Sequence, residues 1–64
     1  MNLGENIRKA REEAGITQVQ LAEKLSVQQM VISRWENGNR TPNAITFGKI
    51  CAALGASADK ILEL

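Results

Sequence analysis

The segment from Thr17 to Gly38, TQVQLAEKLSVQQMVISRWENG, constrains the fold more than any other part of this chain. Apolar residues recur at helical spacing both before and after Ser26, which indicates two short helices joined by only two or three residues. So short a connection makes the two helices cross steeply, and Ala22 is small enough to allow a close crossing. We therefore predict that the second of these helices is held outward from the body of the protein as a rigid element.

Length and composition narrow the classes of protein that the chain can belong to. Its 64 residues are enough for one domain, spanning 1–64. Cys51 is the only cysteine and there is no histidine, so neither a disulfide nor a zinc site is expected, and no cofactor is indicated. The lone thiol, the absence of a signal-peptide pattern and the lack of an apolar run of about 18 residues favour a cytoplasmic protein without a membrane segment.

Capping residues and glycines divide the chain into five predicted helices and no strand. The first, third, fourth and fifth are predicted at 3–14, 28–37, 42–54 and 58–63, and Gly15, Gly38 and Gly55 are expected to end helices in the left-handed conformation. For the first, second, fourth and fifth helices, the predicted N-terminal caps are Asn2 with Glu5, Thr17 in the capping box Thr17-x-x-Gln20, Thr41 before Pro42, and Ser57. The third helix is predicted to start either at a capping box Ser26-x-x-Gln29 or at the weak cap Gln28.

The apolar residues at helical spacing form the predicted core. Trp35 is expected to pack there rather than to stack on a ligand, and Cys51 to serve as a small apolar residue rather than a redox sensor. Gly48, in the middle of the fourth helix, suggests a close helix contact. The other predicted core residues are Leu3, Ile7, Ala10, Ala14, Leu21, Ala22, Leu25, Val27, Ile32, Ala44, Phe47, Ile50, Leu54, Ile61 and Leu62.

The third helix has polar residues in a pattern that can read DNA bases. Positions 29, 30, 33 and 34 share one helical face, opposite Ile32 and Trp35. A glutamine amide can pair with adenine N6 and N7, an arginine with guanine O6 and N7, and a methionine can contact the thymine methyl group. The same pattern would also suit a merely solvated polar face. Because the net charge is only +1, DNA binding would depend on where these groups lie rather than on bulk attraction.

Three stretches, LGENIRKAREEAGITQVQLAEKL, ISRWENGNRTP and FGKICAALGAS, together resemble the Cro/CI-type, or XRE-type, family of helix-turn-helix regulators. They cover nearly the whole chain in the family's order and spacing. The resemblance implies an all-α, compact five-helix bundle of the phage-repressor DNA-binding-domain type, with helices 2 and 3 forming the helix-turn-helix. Two departures are Ser26, where the family often has glycine, and Gln28, where it often has serine or threonine.

The resemblance also implies roles for individual residues. Gln18 would contact the DNA backbone, although it could be an ordinary surface residue. Arg11 and Glu36 would form a structural ion pair that joins helix 1 to the end of helix 3, although they could be unrelated surface charges. The base-reading residues would be Gln29, Met30 and Arg34, with Gln28 and Ser33 as secondary contacts. The further backbone contacts would be Thr17, Asn37, Asn39, Arg40 and Thr41, of which Asn37 could instead be a helix-end residue and Thr41 a pure N-cap.

Two functions from different classes follow. The first is a sequence-specific regulator of transcription, a repressor that binds double-stranded DNA as a homodimer on a palindromic operator. The resemblance implies a dimer surface near the start of helix 4 and the loop between helices 4 and 5, where Ile45, Ala56 and Ala58 are the candidates. The second is an antitoxin-like or adaptor module of the same fold that binds a protein partner. A second domain outside this chain is compatible with both. Catalysis is not expected, because histidine and paired carboxylates in a cleft are both missing.

Overall fold

The computed structural model describes residues 2–63, and within this range it contains five α-helices and no strand. None of these helices within residues 2–63 has the length and the apolar character that a membrane span requires. The helices are α1 (Leu3–Glu13), α2 (Gln18–Leu25), α3 (Gln29–Glu36), α4 (Ala44–Leu54) and α5 (Ala58–Glu63). The predicted all-α, five-helix fold is therefore confirmed.

Local capping explains where most of the helices begin. Asn2 Oδ1 accepts a hydrogen bond from the Glu5 N–H at 3.0 Å at the start of α1. Both halves of the predicted capping box form at α2: Thr17 Oγ1 accepts from the Gln20 N–H at 3.1 Å, and Gln20 Oε1 accepts from the Thr17 N–H at 2.8 Å. Ser57 Oγ accepts a hydrogen bond from the N–H of Lys60, the third residue of α5, at 3.1 Å. These pairs satisfy N–H groups that the first turn of a helix leaves without partners.

The predicted start of α4 is wrong. Asn43, not Thr41, is the N-cap, and its Oδ1 accepts a hydrogen bond from the Thr46 N–H at 2.8 Å. Thr41 and Pro42 therefore lie in the loop between α3 and α4. Asparagine is among the strongest capping residues, and here it prevails over the threonine–proline signal two residues earlier.

Every helix places one fully buried side chain in a single core. These five side chains are Ile7, Leu21, Ile32, Ile50 and Ile61. Ala10, Ala22, Trp35, Cys51 and Leu54 complete the buried apolar set, and Leu3, Leu25, Val27 and Phe47 pack against it while half-buried. The buried sides of α2 and α3 are thus packed against the other three helices through this core.

Three predicted core residues lie at the surface instead. Ala14 and Ala44 are exposed because they stand at the end of α1 and the beginning of α4, beyond the packed part of each helix. Leu62 is 40% exposed, because its neighbour Ile61 takes the inward position of the short α5. Helical periodicity identifies the apolar stripe of a helix but not how far along the helix the packing extends.

Close helix packing was predicted at Gly48, but it occurs at Gly4 instead. A Cβ atom added at Gly48 would meet nothing within 4 Å. One added at Gly4 would collide with the carbonyl oxygen of Trp35 and lie 2.8 Å from that of Glu36. The first turn of α1 therefore lies directly against the C-terminal end of α3, which fixes the direction in which α3 projects.

Candidate nucleic-acid interface

The turn between α2 and α3 consists of Ser26, Val27 and Gln28. Ser26 ends α2 in the left-handed conformation with φ of 58°, and it is the one residue other than glycine within 2–63 with positive φ. The Val27 N–H donates to the Ala22 carbonyl at 3.0 Å, and the Val27 side chain packs against the core. Ser26 thus adopts a conformation to which glycine is better suited.

The N-terminus of α3 lacks a side-chain cap. Gln28 occupies the N-cap position with extended backbone but makes no side-chain capping hydrogen bond, and Ser26 belongs to the end of α2. Of the two predicted starts, the weak cap at Gln28 is confirmed. The Gln28 side chain is consequently left exposed at the tip of the helix.

The outer side of α3 carries the residues predicted to read bases. Gln29, Met30 and Arg34 are exposed, with Met30 at 50%, and Ser33 is half-buried. Ile32 and Trp35 face the opposite way, into the core. The structure therefore brings together amide, thioether and guanidinium groups on one rigid surface, which together can contact adenine, thymine and guanine edges.

Arg11 of α1 and Glu36 of α3 form a nearly buried ion pair behind this surface. Arg11 Nε lies 2.7 Å from Glu36 Oε2 and Arg11 Nη2 lies 3.1 Å from Glu36 Oε1, while Arg11 Nη1 donates to the Ile16 carbonyl at 2.9 Å. The two side chains are only 11% and 2% exposed. The hydrogen bond to Glu36 raises the pKa of Arg11, against the opposing effect of desolvation.

The ion pair extends to the surface through two glutamines. Gln18 Nε2 donates to Glu36 Oε1 at 3.0 Å, and Gln29 Nε2 donates to Gln18 Oε1 at 3.2 Å. We refer to Arg11, Glu36, Gln18 and Gln29 as the amide network. It connects α1, α2 and α3, and it ends at a predicted base-reading side chain.

The sequence did not predict the two glutamine contacts. Gln18 was expected at the DNA backbone or as an ordinary surface residue, yet its amide is engaged on both sides within the protein. A sequence signal did exist, since Gln18 and Gln29 are the first residues of the two helices of the motif. Neither position, however, indicates that the two side chains meet.

The loop after α3 carries the remaining predicted backbone contacts. Asn37 Nδ2 lies 3.3 Å from Ser33 Oγ, and the N–H groups of Asn39 and Arg40 donate to the Arg34 carbonyl at 2.9 and 3.2 Å. Asn37, Asn39, Arg40 and Thr41 are all exposed. The loop is thereby tied to the end of α3 while its polar side chains face solvent.

Cys51 packs in the core, and Thr17 caps a helix. Burial raises the pKa of the Cys51 thiol, which favours the neutral form and agrees with a small core residue. Thr17 is occupied by its capping box through both its hydroxyl and its backbone N–H. Within residues 2–63 no three side chains of histidine, cysteine, aspartate or glutamate are grouped as a metal site would require.

Comparison with known proteins assigns the chain to a family. A helix-turn-helix family model matches residues 7–61. The chain therefore belongs to the helix-turn-helix family of Cro/CI-type, or XRE-type, regulators of transcription, which bind DNA and are not enzymes.

Curated relatives come from eukaryotes as well as from bacteria. The chain is 42% identical over 55 residues to multiprotein-bridging factor 1 of Debaryomyces hansenii, a match that covers 86% of this chain and 37% of the relative. It is 36% identical over 62 residues to the transcriptional regulator ImmR of Bacillus subtilis, covering 97% of this chain and 49% of the relative. The chain thus spans less than half the length of either protein.

Solved structures confirm the phage-repressor type of fold. The clp gene regulator ClgR from C. glutamicum is 32% identical and superposes with a TM-score of 0.93, covering 97% of this chain and 80% of that one. The P22 c2 repressor, solved in complex with a synthetic operator, is 31% identical with a TM-score of 0.83, covering 95% of this chain and 92% of that one.

Proposed function

We propose that residues 1–64 form a single DNA-binding domain of a transcriptional repressor that recognises a specific, roughly palindromic operator with α3 in the major groove. One observation carries this proposal: Gln29, Met30 and Arg34 lie together on the exposed side of a helix whose opposite side is fixed in the core. The similarity to a repressor solved with its operator supports it.

Base recognition in this proposal depends on three side chains. Gln29 pairs with an adenine, Arg34 with a guanine, and Met30 contacts a thymine methyl group. Gln28 at the tip of α3 and the half-buried Ser33 make secondary contacts. These assignments draw on the exposure of each group and on the base edge that its chemistry matches.

Contacts to phosphates fix the position of α3 in the groove. Thr17 and Gln18 stand at the start of α2, where any N–H group that the capping box does not occupy would favour an anion. Asn37, Asn39, Arg40 and Thr41 supply the second set of contacts, since their loop directly follows α3. Such contacts usually make up half or more of a protein–DNA interface and carry no sequence information.

A homodimer would place two copies of α3 on successive half-sites about 34 Å apart. Ile45, near the start of α4, is 76% exposed, the most exposed large apolar side chain in the part of the chain that the structure describes. Together with the half-buried Ala56 and the exposed Ala58, it is the proposed dimer contact. A dimer would explain how a domain with one short reading helix distinguishes a full operator.

Selection from a random duplex pool at two salt concentrations tests this proposal. We expect enrichment of one palindromic sequence, and an affinity that falls as salt rises because phosphate contacts release counterions. The matched control is Arg34→Ala, which keeps the fold but should lose one G·C position from the selected sequence. Failure to enrich any sequence even at low salt would refute it.

A second candidate function is that of a protein-binding adaptor. The similarity to multiprotein-bridging factor 1 favours it. In that case the exposed Ile45 would contact a protein partner rather than a second copy, and α3 would show no preference among duplexes. The same selection experiment separates the two functions.

A further inference from the structure

We infer that the groove between the end of α2 and the second half of α4 is a docking site for an acidic, amphipathic helix of a partner protein. The groove has a volume of about 610 Å³, and its lining residues are Lys24, Leu25, Ser26, Lys49, Ala52 and Ala53. None of these residues belongs to the proposed DNA contacts or to the proposed dimer contact. The inference therefore stands or falls separately from the proposed function.

The floor of this groove is apolar and lies between two helices. Lys49, Ala52 and Ala53 share one face of α4, because they are three and four residues apart. The two alanines present only methyl groups, so they leave space beside Leu25, which is half-buried at the end of α2. Apolar side chains of a partner can fill this space and remove the floor from water, which favours association.

Two lysines give the groove its charge. Lys24 on α2 and Lys49 on α4 are both exposed, and within residues 2–63 neither forms an ion pair with a carboxylate. Glu23, the acidic residue next to Lys24, lines a neighbouring cleft and not this groove. A lysine can lay its apolar stem along a partner while its ammonium group meets a carboxylate. The two positive groups therefore select an acidic partner over a basic one.

The surroundings of the groove favour a helix as its occupant. Residues 2–63 contain no strand, so they offer no sheet edge to which an extended peptide could add. A groove between two helices instead suits an amphipathic helix, whose apolar side chains recur every three or four residues on one face. Carboxylates beside that face would then meet Lys24 and Lys49.

The groove is formed by parts of α2 and α4 that are distant from the proposed phosphate contacts. Lys24 is in the last turn of α2, about 9 Å along the helix axis from Gln18 in the first turn. Lys49 is about 7.5 Å along α4 from Ala44, the first residue after the loop proposed to contact phosphates. We therefore expect the partner and DNA to be bound at the same time.

A second copy of this chain is a poorer occupant than a separate partner. Asp59, Leu62 and Glu63 of α5 lie on one face and combine an exposed leucine with two carboxylates. That helix, however, has only six residues, presents one exposed large apolar side chain and carries Lys60 as well. A longer helix with several apolar side chains would cover more of the groove.

Peptide binding to the whole chain tests the inference. The probe is a synthetic amphipathic helix of about 16 residues, with leucines along one face and glutamates beside them. One control peptide has lysines in place of the glutamates, and a second has glutamines in place of the leucines. Chemical shifts of the backbone amides of the isotope-labelled protein report where each peptide binds and give its dissociation constant.

We expect the acidic peptide to shift the amides that line the groove in a saturable way, and each control peptide to bind about tenfold more weakly or less. In the double variant Lys24→Glu with Lys49→Glu, the lysine-bearing peptide should bind better than the acidic one. The matched control, Lys9→Glu with Lys60→Glu, has the same net charge but changes exposed lysines outside the groove, and it should keep the preference for the acidic peptide. Ala52→Gln alters the floor without altering charge and should also weaken the acidic peptide.

Three results would each overturn the inference. The first is no saturable shift with the acidic peptide, or equal binding of all three peptides. The second is a set of shifts at the groove and at Leu62 that grows with protein concentration without peptide, because a second copy would then cover the groove. The third is a loss of duplex affinity in Lys24→Glu with Lys49→Glu that exceeds the loss in the matched control, which would assign both lysines to DNA phosphates. If the double variant does not fold, Ala52→Gln decides, and none of these results bears on base reading by α3.

Discussion

The carboxylate of Glu36, at the end of α3, accepts hydrogen bonds from Arg11 of α1 on both of its oxygens, at 2.7 and 3.1 Å. Both side chains are nearly buried, so the pair is shielded from the solvent that weakens surface ion pairs. It joins the first helix to the helix proposed to read DNA. The two glutamines of the amide network extend from this pair, and the close contact between α1 and the end of α3 at Gly4 lies next to Glu36.

Removing one partner of this pair should destabilise the protein strongly. Arg11→Met leaves Glu36 buried without its counter-charge, and we expect a loss of about 3–5 kcal/mol in the free energy of unfolding. Urea denaturation measures it. Arg8→Met is the matched control, because Arg8 pairs with Glu12 at 3.5 Å on the exposed side of α1 and should cost about 0.5 kcal/mol or less. Equal stability of Arg11→Met and the unaltered protein would contradict the structural role of the pair.

The contact between α1 and the end of α3 predicts opposite effects for two glycines. Gly4→Ala forces a Cβ atom against the carbonyl groups of Trp35 and Glu36, and should destabilise by about 1–3 kcal/mol. Gly48→Ala meets open space in the middle of α4 and should stabilise by about 0.5–1 kcal/mol. Melting temperatures of the two variants should therefore move in opposite directions, and a shift of the same sign in both would refute this packing.

The revised start of α4 can be tested by removing each possible cap. Asn43→Ala should cost about 1 kcal/mol, since it abolishes the hydrogen bond to the Thr46 N–H. Thr41→Ala should have little effect on unfolding, because Thr41 lies in the loop. If the threonine change proved the more costly of the two, the helix would have to begin earlier.

Two arginines should differ in how their loss affects DNA binding. Arg34→Ala is expected to cost about 1–3 kcal/mol and to relax the preference for one G·C pair, as loss of a base contact does. Arg40→Ala should weaken all duplexes alike and lower the salt dependence by about one phosphate contact. Titrations with single-base operator variants at several salt concentrations separate the two. A uniform loss for Arg34→Ala would reassign that residue to the DNA backbone.

The sequence predicted those features that depend on short stretches of chain. The capping box of α2 and the apolar stripes are set by residues three or four positions apart, so the number of helices and the buried isoleucines could be inferred directly. The outward face of α3 followed from the same spacing. The pairing of Arg11 with Glu36 came from family resemblance, because nothing local links residues 25 positions apart.

The amino-acid sequence alone determined the helices, most of their caps and which side of α3 is polar, because each of these depends on neighbours within one or two turns. Only the tertiary structure decided that Gly4 lies against the end of α3 and that Gln18 joins Glu36 to Gln29. Those contacts connect three helices, and their geometry depends on how the core sets the angles between them. An amide can be recognised in a sequence, but the direction in which its donor and acceptor point is decided by the groups that the fold brings beside it.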